Sequence, residues 1–214
     1  TTGSENTAVG RLALDACVSG NDNTAIGNGA LGANTTSNNT AVGSSAGISN
    51  TSGGNLVAVG KNALEANTTG THVTAVGSDA LQDNNASHNS GFGTGAGANI
   101  TSGAKQTALG SFTLFTCTTG AGNTCVGADA GYLITSGNDN TLVGHDAGDQ
   151  ITTGSNNAAM GYLALTRCTT GGSNVAVGKD AGDNITTGSN NTCIGLDAGT
   201  NITQGDNNIC LGND

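Results

Sequence analysis

The sequence predicts an all-β fold, a parallel β-solenoid or β-roll with rungs of about 17 residues, and three observations predict it. A five-residue phrase recurs thirteen times, the interval between recurrences is nearly constant, and the composition cannot supply a core of large interlocking side chains. The phrase begins as Asn6-Thr7-Ala8-Val9-Gly10, returns as Asn23-Thr24-Ala25-Ile26-Gly27 and ends as Asn208-Ile209-Cys210-Leu211-Gly212. Its closing glycines fall at Gly10, Gly27, Gly43, Gly60, Gly77, Gly93, Gly110, Gly127, Gly144, Gly161, Gly178, Gly195 and Gly212, ten intervals of 17 residues and two of 16. At ~3.3 Å per extended residue, one repeat makes a closed path of roughly 55 Å, too short for a helical pair and right for one coil of a narrow solenoid.

The chain has 214 residues with 37 Gly, no Pro, no Trp and 2% aromatic residues. Charged residues make up 9%, against about 25% in ordinary soluble domains, so a conventional enzyme domain is not expected. Five Lys and Arg against fifteen Asp and Glu give a net charge of -10. That balance argues against a nucleic-acid backbone or an anionic membrane surface as partner and against membrane insertion, since both partners require clustered cations. No apolar run reaches the ~18 residues of a membrane span, and Thr1-Thr2-Gly3-Ser4-Glu5 has no basic or apolar leader character. No composition shift divides the chain, so residues 1–214 are read as a single solenoid module. It opens in a corner and stops two residues past Gly212, so it is expected to be uncapped at both ends, part of a longer fibre or a unit that stacks end to end.

Within the phrase, side chains alternate. The fourth position holds Val9, Ile26, Val42, Val59, Val76, Phe92, Leu109, Val126, Val143, Met160, Val177, Ile194 and Leu211, and this large apolar column is expected to fill the solenoid core. The third position is nearly always small, with Ala8, Ala25, Ala41, Ala58, Ala75, Ala108, Ala159 and Ala176 joined by Gly91, Cys125, Cys193 and Cys210, and with Leu142 as its one large member. Period-2 logic turns that column outward, where an uncharged small-residue face suits a tight subunit interface.

The second half of each rung has two versions that compensate in volume. Where Leu14, Leu31, Leu64, Leu81, Leu114 or Leu165 stands four residues after the closing Gly, the residue seven after it is Cys17, Asn34, Asn67, Asn84, Cys117 or Cys168. Where the first site is Gly97, Gly131, Gly148, Gly182 or Gly199, the second is Ile100, Ile134, Ile151, Ile185 or Ile202. One pocket filled from either side accounts for both sets. The Gly47 rung has Asn50, and Ile48 is expected to fill its pocket. Each rung then turns through Thr-Thr-Gly or Thr-Ser-Gly, as at Thr135-Ser136-Gly137, followed by Asn residues such as Asn156-Asn157. Gly supplies positive φ and Asn tolerates it, so these are corners whose stacked Asn and Thr form ladders.

The phrases Asn-Thr-Ala-Val-Gly and Thr-Thr-Gly-Ser-Asn-Asn-Thr resemble the repeat arrays of phage and large-virus tail-fibre proteins that precede an intramolecular chaperone. They are also similar, with a longer period, to the head repeats of YadA-like trimeric autotransporter adhesins. The resemblance covers essentially the whole chain. It implies a left-handed homotrimeric fibre on a virion or cell surface that extends outward and presents a binding surface to a host glycan or protein receptor. The self-cleaving chaperone region of such proteins has no counterpart here, so its protease activity does not carry over.

Candidate chemistry is sparse. The six cysteines read as small apolar fillers. Cys193 and Cys210 lie on successive rungs, close enough for a disulfide, but stacked side chains point in parallel. No Cys-x-x-Cys spacing suggests zinc. Aspartates stand two residues after the closing Gly at Asp79, Asp129, Asp146, Asp180, Asp197 and Asp214. Each is read as bonding the backbone of its own corner. A cation site, were there one, would lie among Asp129, Asp146, Asp180 and Asp197, where stacked carboxylates repel. His72, His88 and His145 fall in three different columns of the repeat. No nucleophile, phosphate loop or acid/base pair is found, and no cofactor is expected. Two functions follow: a structural and adhesive fibre segment that self-associates, as a homotrimer or end-to-end polymer, and, alternatively, a monomeric ice-binding or surface-binding solenoid with regular Thr columns.

Overall fold

The computed structural model describes residues 2–213, and Thr1 and Asp214, the last aspartate of its column, lie outside the described residues. Thirteen strands of three residues, from β1 (Thr7–Val9) to β13 (Ile209–Leu211), form one parallel sheet in strict sequence order, with about 17 residues per turn and no helix among the described residues. Twelve steps of ~4.8 Å make a rod of roughly 58 Å. No helix of the described chain is long and apolar enough to cross a membrane.

Register is uniform, with each phrase stacked on its successor, as in Thr7↔Thr24, Ala8↔Ala25 and Val9↔Ile26. The two 16-residue intervals leave it intact: Ala25 pairs Ala41 and Ala75 pairs Gly91. The deletion is absorbed at the corner, where Thr36 and Ala86 take the place of the corner glycine and lie against Gly20 and Gly70. The closing glycines keep rungs close. Gly127 has φ +131°, and a Cβ there would collide with the carbonyl oxygen of Gly144 on the next rung.

The inside of the rung is the reverse of the expected one. Ala25, Ala41, Ala58, Ala75, Ala108, Ala159 and Ala176 are buried inside the solenoid together with Gly91, Cys125, Leu142 and Cys193, so they cannot form a subunit interface; Ala8, on the first rung, shares their orientation but is exposed. The large column points out. Val9, Ile26, Phe92, Leu109, Met160, Val177, Ile194 and Leu211 are exposed, and Val42, Val59, Val76, Val126 and Val143 are half-buried. The physical reason is width. The strand faces the Leu/Ile pocket across an interior so narrow that a Cβ on Gly91 would already lie 2.9 Å from Leu81 Cγ. On most other rungs this position holds Ala, and a β-branched side chain would overfill the interior.

The shared pocket is as the sequence predicts. A Cβ on Gly97 would lie 2.7 Å from Ile100 Cδ1, and one on Gly131 2.9 Å from Ile134 Cδ1, so the isoleucine occupies the space that leucine fills in other rungs. The Gly47 rung differs from expectation. Its space is taken by Leu31 of the preceding rung, whose Cδ2 lies 3.1 Å from a Cβ on Gly47, while half-buried Ile48 packs outside, against Gly29. The backbone supplies a second reason for glycine at this site: Leu14, Leu31, Leu64, Leu81, Leu114 and Leu165 are all held at φ between +48° and +54°. That left-handed conformation costs an L-residue roughly 1–2 kcal/mol, which the ~1.5–3 kcal/mol of a buried leucine offsets.

Buried amides line one edge of the interior. Asn140 Nδ2 donates to Asn123 Oδ1 on the previous rung at 2.9 Å and to Gly154 O at the far end of its own rung at 2.9 Å. Asn157, Asn174 and Asn191 repeat the pattern. Where this first position becomes Leu56 or Val73, the Asn seven residues after the closing Gly takes the same carbonyl: Asn67 Nδ2 donates to Gly70 O at 3.2 Å and Asn84 Nδ2 to Ala86 O at 2.8 Å. Thr hydroxyls run a parallel ladder at the corner. Thr101, Thr118, Thr135, Thr152, Thr169 and Thr186 each donate to the carbonyl of the threonine one rung on, at 3.0–3.2 Å.

Candidate functional site

Two surfaces stand out from this frame: the outward face of the sheet and the bend that follows it. On the sheet face, the residues flanking the buried third position both point out. The large column from Val9 to Leu211 therefore forms a continuous apolar stripe along the whole rod. Beside it runs a column of Thr7, Thr24, Thr40, Thr74, Thr107, Thr124, Thr141 and Thr192, interrupted by Val57, Ser90, Ala158, Val175 and Ile209. Eight members of the apolar stripe are exposed and five half-buried, whereas ordinary soluble surfaces scatter such side chains singly.

At the bend, residues one, two and five after the closing Gly stack into columns where the repeat departs most from itself. Four of the five aromatic residues sit there. Phe112 meets Phe115 edge-on with ring centroids 5.4 Å apart, Phe115 stacks on Tyr132 at 5.4 Å, and Tyr162 tilts over His145 at 5.7 Å. The next residue in the Phe115–Tyr132 column is Asp149.

Of the aspartates two residues after the closing Gly, Asp79 and Asp180 are held by side chains and not by the backbone of their own corners as expected. Asp79 accepts from Asn62 Nδ2 of the preceding rung at 2.9 Å and from Ser78 Oγ at 2.9 Å, and Asp180 pairs with Lys179 Nζ at 2.6 Å. Asp79, Asp129, Asp146, Asp180 and Asp197 all hold the left-handed conformation of this bend, with φ +55° to +57°. Of the four aspartates read as cation candidates, Asp129 and Asp146 come together with His145, one ligand atom of each lying within 4.8 Å of the others; Asp180 and Asp197 are not in that group. Sequence reasoning missed His145 because it stands one column aside.

His72 and His88 also come together, contrary to the separate columns expected: their rings stack at 5.2 Å with 1° between planes. The short rung ending at His88 shifts the count from the preceding Gly, but both residues stand five before the following one. Counting from both glycines would have found the pair.

The cysteines behave as fillers. All six are free thiols. Burial pushes the Cys117 and Cys168 thiols up to about 11, while Cys17, Cys117 and Cys168 sit 3.4–3.7 Å from the corner carbonyls of Gly20, Gly120 and Gly171. Cys193 is likewise raised to about 11 by burial and by Cys210 beside it, so no thiol shown to be shifted is a ready nucleophile. Asp149 and Asp183, five residues after the closing Gly, each bury one carboxylate oxygen without a hydrogen-bond partner. Burial, then Asp146 and Asp129, raise Asp149 to about 6, and burial raises Asp183. An open cleft of about 330 Å³ beside the last rung is lined by Ile202, Ile209, Leu211 and neighbouring backbone, with Cys210 as its one titratable group.

Compared with models of protein families and with curated proteins, the sequence matches neither.

Proposed function

We propose that the chain is a structural and adhesive fibre segment that assembles as a homotrimer through the exposed stripe from Val9 to Leu211, leaving the bends and corners outside to meet a host-surface glycan or protein. The observation that carries this reading is the stripe itself, thirteen large apolar side chains in register along one face. Covering a half-exposed Val, Leu or Ile yields roughly half of the ~1.5–3 kcal/mol for full burial. Summed over the stripe, that gain is on the order of 10 kcal/mol or more per chain, comparable with the ~4–15 kcal/mol lost in association. Symmetry-related copies present the same stripe to one another, so a closed ring buries every copy equally. The resemblance to tail-fibre and adhesin repeats supplies the number three and the location on a virion or cell surface. The irregular bend columns, with Tyr132, His145, Tyr162 and Lys179, are the part able to discriminate a receptor.

Light scattering tests it. A mass three times 20.5 kDa is expected, falling to the single-chain mass in Val126→Asp/Val177→Asp with unchanged β circular dichroism. A clean monomer of the unaltered chain overturns the trimer.

A second reading is favoured by one observation, the Thr column running in register beside the apolar stripe. Such an array suits a monomeric ice-binding or surface-binding solenoid. The corner threonines contribute little to it, because their hydroxyls donate to the next rung. A monomer showing thermal hysteresis would establish it.

A further inference from the structure

We propose that Asp129, His145 and Asp146 form a site for one divalent ion of the late first transition row, held by one imidazole nitrogen and two carboxylates. The ligand atoms come from two successive rungs and lie within 4.8 Å of one another, with His145 Nδ1 2.7 Å from Asp146 Oδ2. Asp129 and Asp146 occupy equivalent bends, at φ +56° and +57°, on successive rungs, and their carboxylate oxygens meet within 4.8 Å. A small closing movement brings three such donors to the ~2.0–2.2 Å that zinc-like ions require.

The charge balance distinguishes this place from Asp79 and Asp180 in the same column. Asp180 is answered by Lys179, and Asp79 by two neutral donors. At Asp129 and Asp146 the neighbour one residue before is Ala128 or His145, and neither is a fixed cation. A third carboxylate adds to the imbalance: Asp149 buries an oxygen that has no hydrogen-bond partner, and its charge is felt by both Asp146 and Asp129. A divalent ion answers two of these three carboxylates at once. The imidazole selects the ion, since nitrogen ligands favour Zn²⁺, Co²⁺ or Ni²⁺ over Ca²⁺ and Mg²⁺. The site is partly open, with Asp129 and Asp146 half-buried and His145 exposed, so water completes the shell.

Calorimetric and optical titration of the whole chain with Co²⁺ tests the site. One ion per chain is expected, with visible absorption but without the near-ultraviolet band of thiolate ligation, which excludes the cysteines. Asp129→Asn should weaken binding at least ~10-fold, His145→Ala should abolish it, and Asp180→Asn should leave it unchanged. His145 is exposed, so the metal-free variants should melt as the parent does, which separates lost ligands from lost fold. Absence of saturable binding, a thiolate band, or binding that survives His145→Ala overturns the proposal. None of these outcomes depends on the number of chains in the fibre.

Discussion

Gly91 and Leu81 set the inner width of the solenoid: a Cβ on Gly91 would lie 2.9 Å from Leu81 Cγ, so at that rung even alanine is too large. Elsewhere the same position holds Ala or Cys, and Leu142 only between Gly131 and Gly148; Ala176 has Leu165 where Leu142 has Gly131. Ala176→Leu is therefore expected to cost at least ~1–3 kcal/mol through overpacking, read as a fall in the urea midpoint. The exposed neighbour behaves oppositely. Val177→Asp should leave single-chain stability within about 0.5 kcal/mol, with its effect confined to assembly. Equal losses for both would mean that the inside and outside columns are not separated as described.

The period, the rung count, the corners and the shared pocket were legible because each depends only on repetition. The direction of the strand was not. Alternation distinguishes two faces but does not say which is inside, and with both faces uncharged, size became the deciding cue. In a wide sandwich the larger column is the core, whereas in a 17-residue rung the smaller one is. A usable signal was present in the spread of volumes. The outer column runs from Val126 to Phe92 and Met160 without compensation, while the inner column accepts its one large residue, Leu142, only where Gly131 and Gly148 make room for its methyls. Restricted volume marks burial more reliably than hydrophobicity does. The cluster of Asp129, His145 and Asp146 was half-legible. The aspartate column came from the repeat, but His145 belongs to no column of histidines and became visible only in three dimensions.

The exchange of roles between the two amide positions gives a double-mutant test. Asn157 Nδ2 donates to Gly171 O at 2.9 Å, and Cys168 lies beside the same carbonyl. Asn157→Leu should cost about 1–3 kcal/mol by leaving buried polar groups unpaired. Adding Cys168→Asn recreates the arrangement of the rung that starts at Leu56, where Asn67 serves the carbonyl, and should recover part of that loss. The double variant melting no higher than Asn157→Leu would show that the amides do not substitute for each other.

Asp149 and Asp183 make stability depend on pH with an unusual sign. Their carboxyls are raised in the folded chain, Asp149 to about 6 from 3.8. Above 3.8 the folded state holds protons that the unfolded state has released, so the contribution of both is fully present below about 3.8; that of Asp149 is lost as pH rises through about 6, and that of Asp183 is lost in the same direction. Asp149→Asn/Asp183→Asn should therefore raise the melting temperature at pH 7.5 and leave it nearly unchanged at pH 3.5. An equal gain at both pH values would locate the effect in packing and not in charge.

Leu114 is buried at φ +52° on a rung flanked by rungs that carry glycine at the same site, Gly97 and Gly131. Leu114→Ala empties the pocket at a cost of about 2–5 kcal/mol and keeps the strained backbone. Leu114→Gly empties it equally but releases roughly 1–2 kcal/mol of left-handed strain, against ~0.5–1 kcal/mol of added chain entropy. Glycine should thus be the less damaging substitution, the reverse of the usual order in regular structure. Cys117→Ile added to Leu114→Gly rebuilds the arrangement of Gly131 and Ile134 and should bring the melting temperature back toward that of the parent. Alanine outperforming glycine would mean that strain at this bend is too small to explain the alternation of leucine and glycine along the rod.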